Sequence, residues 1–291
     1  MMCGQTIWTT FLDILSRTLF AVHGGMLVWC VVSVKRDPFY WVLLLGVLFL
    51  VVEMIVTWKF TTHGWWKWFS PMVFLYLCTV IPSIWILELQ TLQSYSSSNT
   101  TTEMYGKEKH EQILHLRQTL PFVLVLGRWI MPKGEMSRDD LSNILTNFLS
   151  LGADILELSE VFKDKEVRSH YKLLVIGLSL FSLALMQFPL VITKIQLPVT
   201  HPAPKHLLKR VRDHSVEEGC NKILGLLINV VMQDAPFLVY RLYLITKLGV
   251  YDDTIIYFTC KNIVMILIDV YTILVIVCGK GVLRQNRSTP V

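Results

Sequence analysis

Asp234 stands two residues before Pro236 and seven before Arg241 in an otherwise apolar stretch. Proline supplies no N–H and frees a helical carbonyl. A carboxylate beside it can lock onto a basic partner, or it can take a proton or a cation. Asp13 and Arg17 are four residues apart, a spacing that pairs them on one helix face. Glu53, Arg117, Arg128, Asp154, Glu157, Lys261 and Asp269 complete the set, each inside a mostly apolar run. Such a set admits two kinds of chemistry. One is a polar pathway for ions, protons, solutes or lipid headgroups. The other is a group of buried ion pairs that fix helix order and register. Near-neutral layers of charge favour pairing.

Enzyme chemistry finds little support. His110-Glu111 with His115 comes close to the zinc protease helix motif, but the second histidine is one residue late and the imidazoles leave the common face. Ordinary polar residues at a helix start explain it better. There is no Gly-rich phosphate loop, Cys-x-x-Cys pair or Gly-x-Ser-x-Gly turn. No catalytic, cofactor-binding or metal residue is therefore assigned, and the reading is non-enzymatic. The six cysteines show no disulfide framework, and Cys278 reads as a packing residue.

The elements that must hold these charges are long apolar stretches at 8–34, 39–60, 69–90, 111–132, 140–159, 171–193, 222–246 and 254–279. Each has about 20 residues or slightly more, the length that crosses a bilayer core. Apolar residues make up 53% of the chain and charged residues 17%. Soluble domains run at about 45–50% and 25%. The expected fold is all-α: a polytopic integral membrane bundle of about eight helices, forming a single transmembrane domain over 1–291 with a polar, charge-bearing interior. The third and sixth stretches read as clean, lipid-facing helices. The first reads as a retained helix rather than a signal peptide, because Asp13 and Arg17 interrupt it and no basic region precedes it. The fifth has the weakest hydropathy.

Asn99-Thr100-Thr101 is a glycosylation sequon in a Ser/Thr-rich loop, which places that loop outside or in a lumen. With an even span number both termini are cytosolic. Lys and Arg lean modestly the same way. On this topology Asn286-Arg287-Ser288 stays unmodified. The loop 194–222 is basic and cytosolic. Its run at 205–212 is a candidate contact for anionic inner-leaflet lipids, although fixing topology is the commoner role of such a loop. The net charge of +5 fits an inner leaflet better than a nucleic acid. The expected setting is the secretory pathway and the plasma membrane, with protein partners.

Several blocks, in order, resemble the transmembrane protein 26 family. They are Lys67-Trp68-Phe69-Ser70-Pro71 with Phe74-Leu75-Tyr76-Leu77, Leu87-Glu88-Leu89, Gly127-Arg128-Trp129, and Ala153-Asp154-Ile155-Leu156-Glu157. Gln187-Phe188-Pro189 and Gln233-Asp234-Ala235-Pro236-Phe237-Leu238 with Arg241-Leu242 follow. The resemblance implies a multi-pass, glycosylated membrane protein. It carries no catalytic or transport residues to transfer. The chain departs from the family pattern in its short loop around Asn99 and in having little sequence after Lys280.

Overall fold

The computed structural model describes residues 2–60, 69–96, 103–131, 138–190 and 223–285. The chain divides into two compact units, Met1–Val191 and Ile192–Val291.

In the first unit, α1 (Met2–Lys35) stops where Arg36 takes a left-handed φ of 55°. Asp37 then caps the next element by accepting from the Phe39 N–H at 2.9 Å. That element opens as a 3-10 turn, Pro38–Leu44, and continues as α2 (Leu45–Phe60). Proline suits this start because its missing N–H would have had no helical partner. α2 shows one inward stripe, Gly46, Leu50, Glu53 and Thr57, spaced four, three and four residues apart. Its other faces expose Leu48, Phe49, Val51, Val52 and Ile55, as lipid contact requires.

α3 (Pro71–Ser96) is the centre of this unit and touches α1, α2, α4 (Glu103–Ile130) and α7 (Tyr171–Leu185). It is 56% buried over its apolar window, against 39% for α1 and 6% for the α2 stretch. The third stretch is thus a core helix, not a clean lipid-facing one. A predominantly apolar helix satisfies lipid and protein interior equally, so its pattern did not distinguish them. α4 and α5 (Arg138–Val161) run antiparallel. Their buried residues recur every three or four positions: Ile113, Arg117, Leu120 and Leu124 on α4, and Leu141, Ile144, Phe148, Leu151, Ile155 and Leu158 on α5.

Asp164 caps the short helix α6 (Lys165–Ser169) through the Glu166 N–H at 2.8 Å. α7 has 15 residues, about 22 Å at 1.5 Å per residue. That is shorter than the helix expected over 171–193. After Leu185 the chain turns, Ser70 N–H donates to Pro189 O at 2.8 Å, and Phe69 bridges to Leu190. Pro189 disfavours helix at Phe188, which explains the early end. One face of α7 is buried, through Leu174, Leu178 and Phe181, so it too departs from a wholly lipid-facing reading.

In the second unit, α8 (Ile223–Leu248) contains two π turns, Val230–Asp234 and Leu244–Leu248. The first lies just ahead of Pro236, where a widened turn relieves the proline clash with the preceding carbonyl. Gly249, at φ 67°, ends α8, because only glycine takes that conformation without strain. α9 (Asp253–Gln285) returns alongside α8 with Asp253 in its first turn, where the helix dipole favours negative charge.

Among the described residues, five helical stretches are long and apolar enough to cross a membrane: Thr10–Lys35, Pro38–Thr57, Pro71–Gln93, Ile223–Leu248 and Asp253–Cys278. α4, α5 and α7 fall outside that set. Among the described residues these five meet the criterion of length and apolarity, so the expected count of about eight membrane helices is not confirmed.

Candidate functional site: buried charge networks

Three polar networks lie inside the first unit. In the first, α1 sets Asp13 and Arg17 one turn apart, and Arg17 Nη1 donates to Asp13 Oδ1 at 2.7 Å. The same guanidinium reaches α2, with Nη2 and Nε donating to Glu53 Oε2 at 2.9 and 3.1 Å. Thr57 Oγ1 donates to Glu53 Oε1 at 2.7 Å. Arg17 therefore spans two carboxylates on two helices through charge-assisted hydrogen bonds.

The second network joins α3, α4 and α5. Arg117 pairs with Glu88, and its Nη2 donates to Ser159 O at 2.8 Å. Its charge also lies 5.4 Å from the centre of the Phe162 ring. Arg117 is 1% exposed and Glu88 is 4% exposed. Sequence reasoning quoted Glu88 in a family block but did not count it among the buried charges, since it stands in the stretch taken as clean.

The third network is uncharged. Tyr76 OH meets His23 Nδ1 at 2.7 Å, and His23 Nε2 meets Leu116 O at 3.1 Å. A carbonyl only accepts, so Nε2 carries the proton and Nδ1 accepts from Tyr76. Phe20 covers Tyr76 with ring centres 4.6 Å apart. The set ties α1 to α3 and α4. His23 and Tyr76 were not singled out in the sequence, because neutral polar residues in an apolar run give no charge signal.

The remaining expected charges of this unit are also inside. Arg128 is buried, with Nη1 3.1 Å from Met131 Sδ. Asp154 and Glu157 are buried on α5. Close helix approach is made by Gly46 and Gly127 more than by Gly24-Gly25. A Cβ at Gly46 would strike Thr79, and one at Gly127 would strike Phe20. A Cβ at Gly24 would meet Val47 at 3.4 Å, and one at Gly25 would meet nothing within 4 Å.

In the second unit Asp234 closes the π turn and is buried. Its backbone carbonyl accepts from Asn262 Nδ2 at 3.4 Å. Arg241 is 1% exposed and lies 5.3 Å from the centres of both the Phe237 and Phe258 rings. Lys261 approaches Phe258 at 5.4 Å. Phe258 is thus shared by two cations. Asp269 is buried on α9.

Asn99 and the basic segment 194–222, with its run at 205–212, lie outside the described residues. Among the described residues no three His, Cys, Asp or Glu side chains gather as metal ligands. The arrangement suits helix-to-helix stapling: Arg17, Arg117, Arg241 and His23 each reach a neighbouring helix, and their partners are carboxylates, carbonyls, a hydroxyl and rings.

The family model described as Transmembrane protein 26 matches the chain over residues 7–116 and 103–272. No solved structure matches it.

Proposed function

Because the chain belongs to the transmembrane protein 26 family and is a multi-pass integral membrane protein, we propose that it is a non-enzymatic membrane protein that acts through partners at a membrane surface. Its buried charges are structural on this reading. The observation that carries it is the bridging by arginine: Arg17 holds α1 to α2, and Arg117 holds α3, α4 and α5. Buried pairs with matched partners fix helix order and register, whereas a conduction path leaves charges facing water.

The full proposal has eight spans, with α4, α5 and the α7 segment crossing beside the five apolar stretches. Both termini face the cytosol, Asn99 is glycosylated on the far side, and the protein resides in the plasma membrane. The run at 205–212 meets anionic inner-leaflet lipids. No nucleic acid or cofactor is involved.

Purified protein in liposomes, assayed for ion flux and fluorescent-lipid scrambling, tests the reading. We expect neither activity in the wild-type protein, and a loss of folding yield in Arg17→Gln. A flux in the wild type that Arg17→Gln abolishes at normal yield would replace this reading with that of a transporter, channel or scramblase.

A further inference from the structure

The polar face of α9 is a single stripe. Among its described side chains, Ile255, Thr259, Asn262 and Asp269, spaced four, three and seven residues apart, are the buried ones. Away from the stripe α9 exposes many apolar residues, Leu267 and Tyr271 among them. Asn262 is 0% exposed and its Nδ2 is engaged by Asp234 O at 3.4 Å, yet its Oδ1 has no donor. Asp269 is 6% exposed and its Oδ2 has no donor. Across the seam on α8, Asn229 Oδ1 is also shielded and without a donor. All three atoms are acceptors. Burying an unmatched acceptor costs on the order of 1–3 kcal/mol, and a lone carboxylate costs more. What these three atoms lack is a donor or a cation.

Register places these atoms. α8 and α9 are antiparallel neighbours, and the Asn262–Asp234 contact fixes their level. Asp269 lies seven residues beyond Asn262, about 10 Å along the axis at 1.5 Å per residue. Asn229 precedes Asp234 by five residues, about 7 Å. The intervening turn is π, which brings residues five apart to roughly the same face. Asn229 therefore falls between the levels of Asn262 and Asp269, nearer Asp269. The cationic ends of Arg241 and Lys261 gather on Phe258, well toward the α8–α9 connection.

We propose that the α8–α9 seam holds a dehydrated monovalent metal cation, sodium or potassium, between the Asp269 carboxylate and the Asn229 amide oxygen, with Asn262 lining the approach. The ligand atoms are hard oxygens, which select alkali and alkaline-earth ions over soft metals. One carboxylate neutralises one positive charge, and a divalent ion would leave an excess charge buried. Irregular helix beside a proline, with carbonyls free of the regular ladder, is the backbone setting in which membrane proteins hold such ions.

The test uses the full-length protein in nanodiscs. Thermal unfolding is measured in sodium, potassium and choline chloride at equal ionic strength, with 22Na+ and 86Rb+ binding measured in parallel. A saturable rise in Tm of several degrees is expected in one alkali cation over choline, with about one ion bound per chain. Asp269→Asn abolishes the rise, and Asn229→Leu moves it to higher salt. If Asp269→Asn does not fold, Asn229→Leu and the radiolabel carry the test. Equal Tm in all three salts, or a rise that survives Asp269→Asn, would overturn the proposal. So would stability in choline that depends on pH but not on metal cation, because it assigns the position to a proton.

Discussion

Glu88→Leu isolates one arm of the network that joins α3, α4 and α5. It removes the carboxylate that, among the described residues, is bonded to Arg117, a residue 1% exposed whose Nε already has no acceptor. The remaining bonded and ring partners, Ser159 O at 2.8 Å and the Phe162 ring at 5.4 Å, carry no charge, and the Glu160 carboxylate acts on Arg117 through space without a bond. Leaving one member of a buried pair uncompensated costs about 3–5 kcal/mol. Total stability is about 5–15 kcal/mol, so the single variant should lose much of its folded population. Glu88→Leu with Arg117→Met removes both charges and keeps comparable volume. Its remaining defect is the Ser159 carbonyl, now without the arginine donor, at about 1–3 kcal/mol. The double variant should therefore be more stable than Glu88→Leu alone by about 2 kcal/mol, a recovery that additive single effects cannot give. Unfolding of purified protein in detergent, followed in a full double-mutant cycle, measures the coupling. Additivity within about 0.5 kcal/mol would refute the claim that these two side chains hold the helices as a pair.

Glycine substitutions make a matched contrast. Gly46→Ala puts a methyl against Thr79 and 3.1 Å from the Leu75 carbonyl, so it should destabilise by about 1–3 kcal/mol, whereas Gly25→Ala meets nothing within 4 Å and should be neutral or better in the same melts. Gly127→Ala drives a methyl into the Phe20 ring, and Phe20→Leu should recover part of the lost Tm by making room. Tyr76→Phe removes the hydroxyl that donates to His23 Nδ1 at 2.7 Å and should lower stability by about 1–3 kcal/mol, with His23→Phe/Tyr76→Phe costing less than the sum of the singles. Asn99→Gln should abolish a glycosidase-sensitive mobility shift and Asn286→Gln should not; the opposite pattern would invert the topology.

The helices and most of the buried charges were legible in the sequence because a charge inside an apolar run must turn away from lipid. Asp13, Arg17, Arg117, Arg128, Asp154, Glu157, Asp234, Arg241 and Asp269 are all buried. Which charge meets which was harder, since helix spacing gives partners within a helix but not between helices. Asp13 with Arg17 was readable for that reason, and Arg17 with Glu53 was not. Glu88 was not counted among the buried charges because a charge near the end of a strongly apolar span looks like an interfacial group. The central place of α3 was hidden for a different cause: lipid and protein core select the same side chains, so an enclosed helix and an exposed one read alike. The π turn before Pro236 had its proline as a signal, whereas the one at Leu244–Leu248 had none.

The fork of Arg17 onto Glu53 bears on how the chain enters the bilayer during synthesis. On insertion scales a charged side chain at a helix centre costs about 2.5–3.5 kcal/mol. α1 carries Asp13 with Arg17, and α2 carries Glu53, which the Arg17 fork and the Thr57 hydroxyl engage. α2 released by itself would face lipid with an unmatched carboxylate. Its release is cheapest once α1 waits beside it, so the first two helices favour delivery as a preassembled hairpin rather than one at a time. The tight turn at Arg36 and Asp37 keeps the second helix within reach of the first as it emerges. The ion pair that fastens the finished protein thereby also sets the order of its assembly.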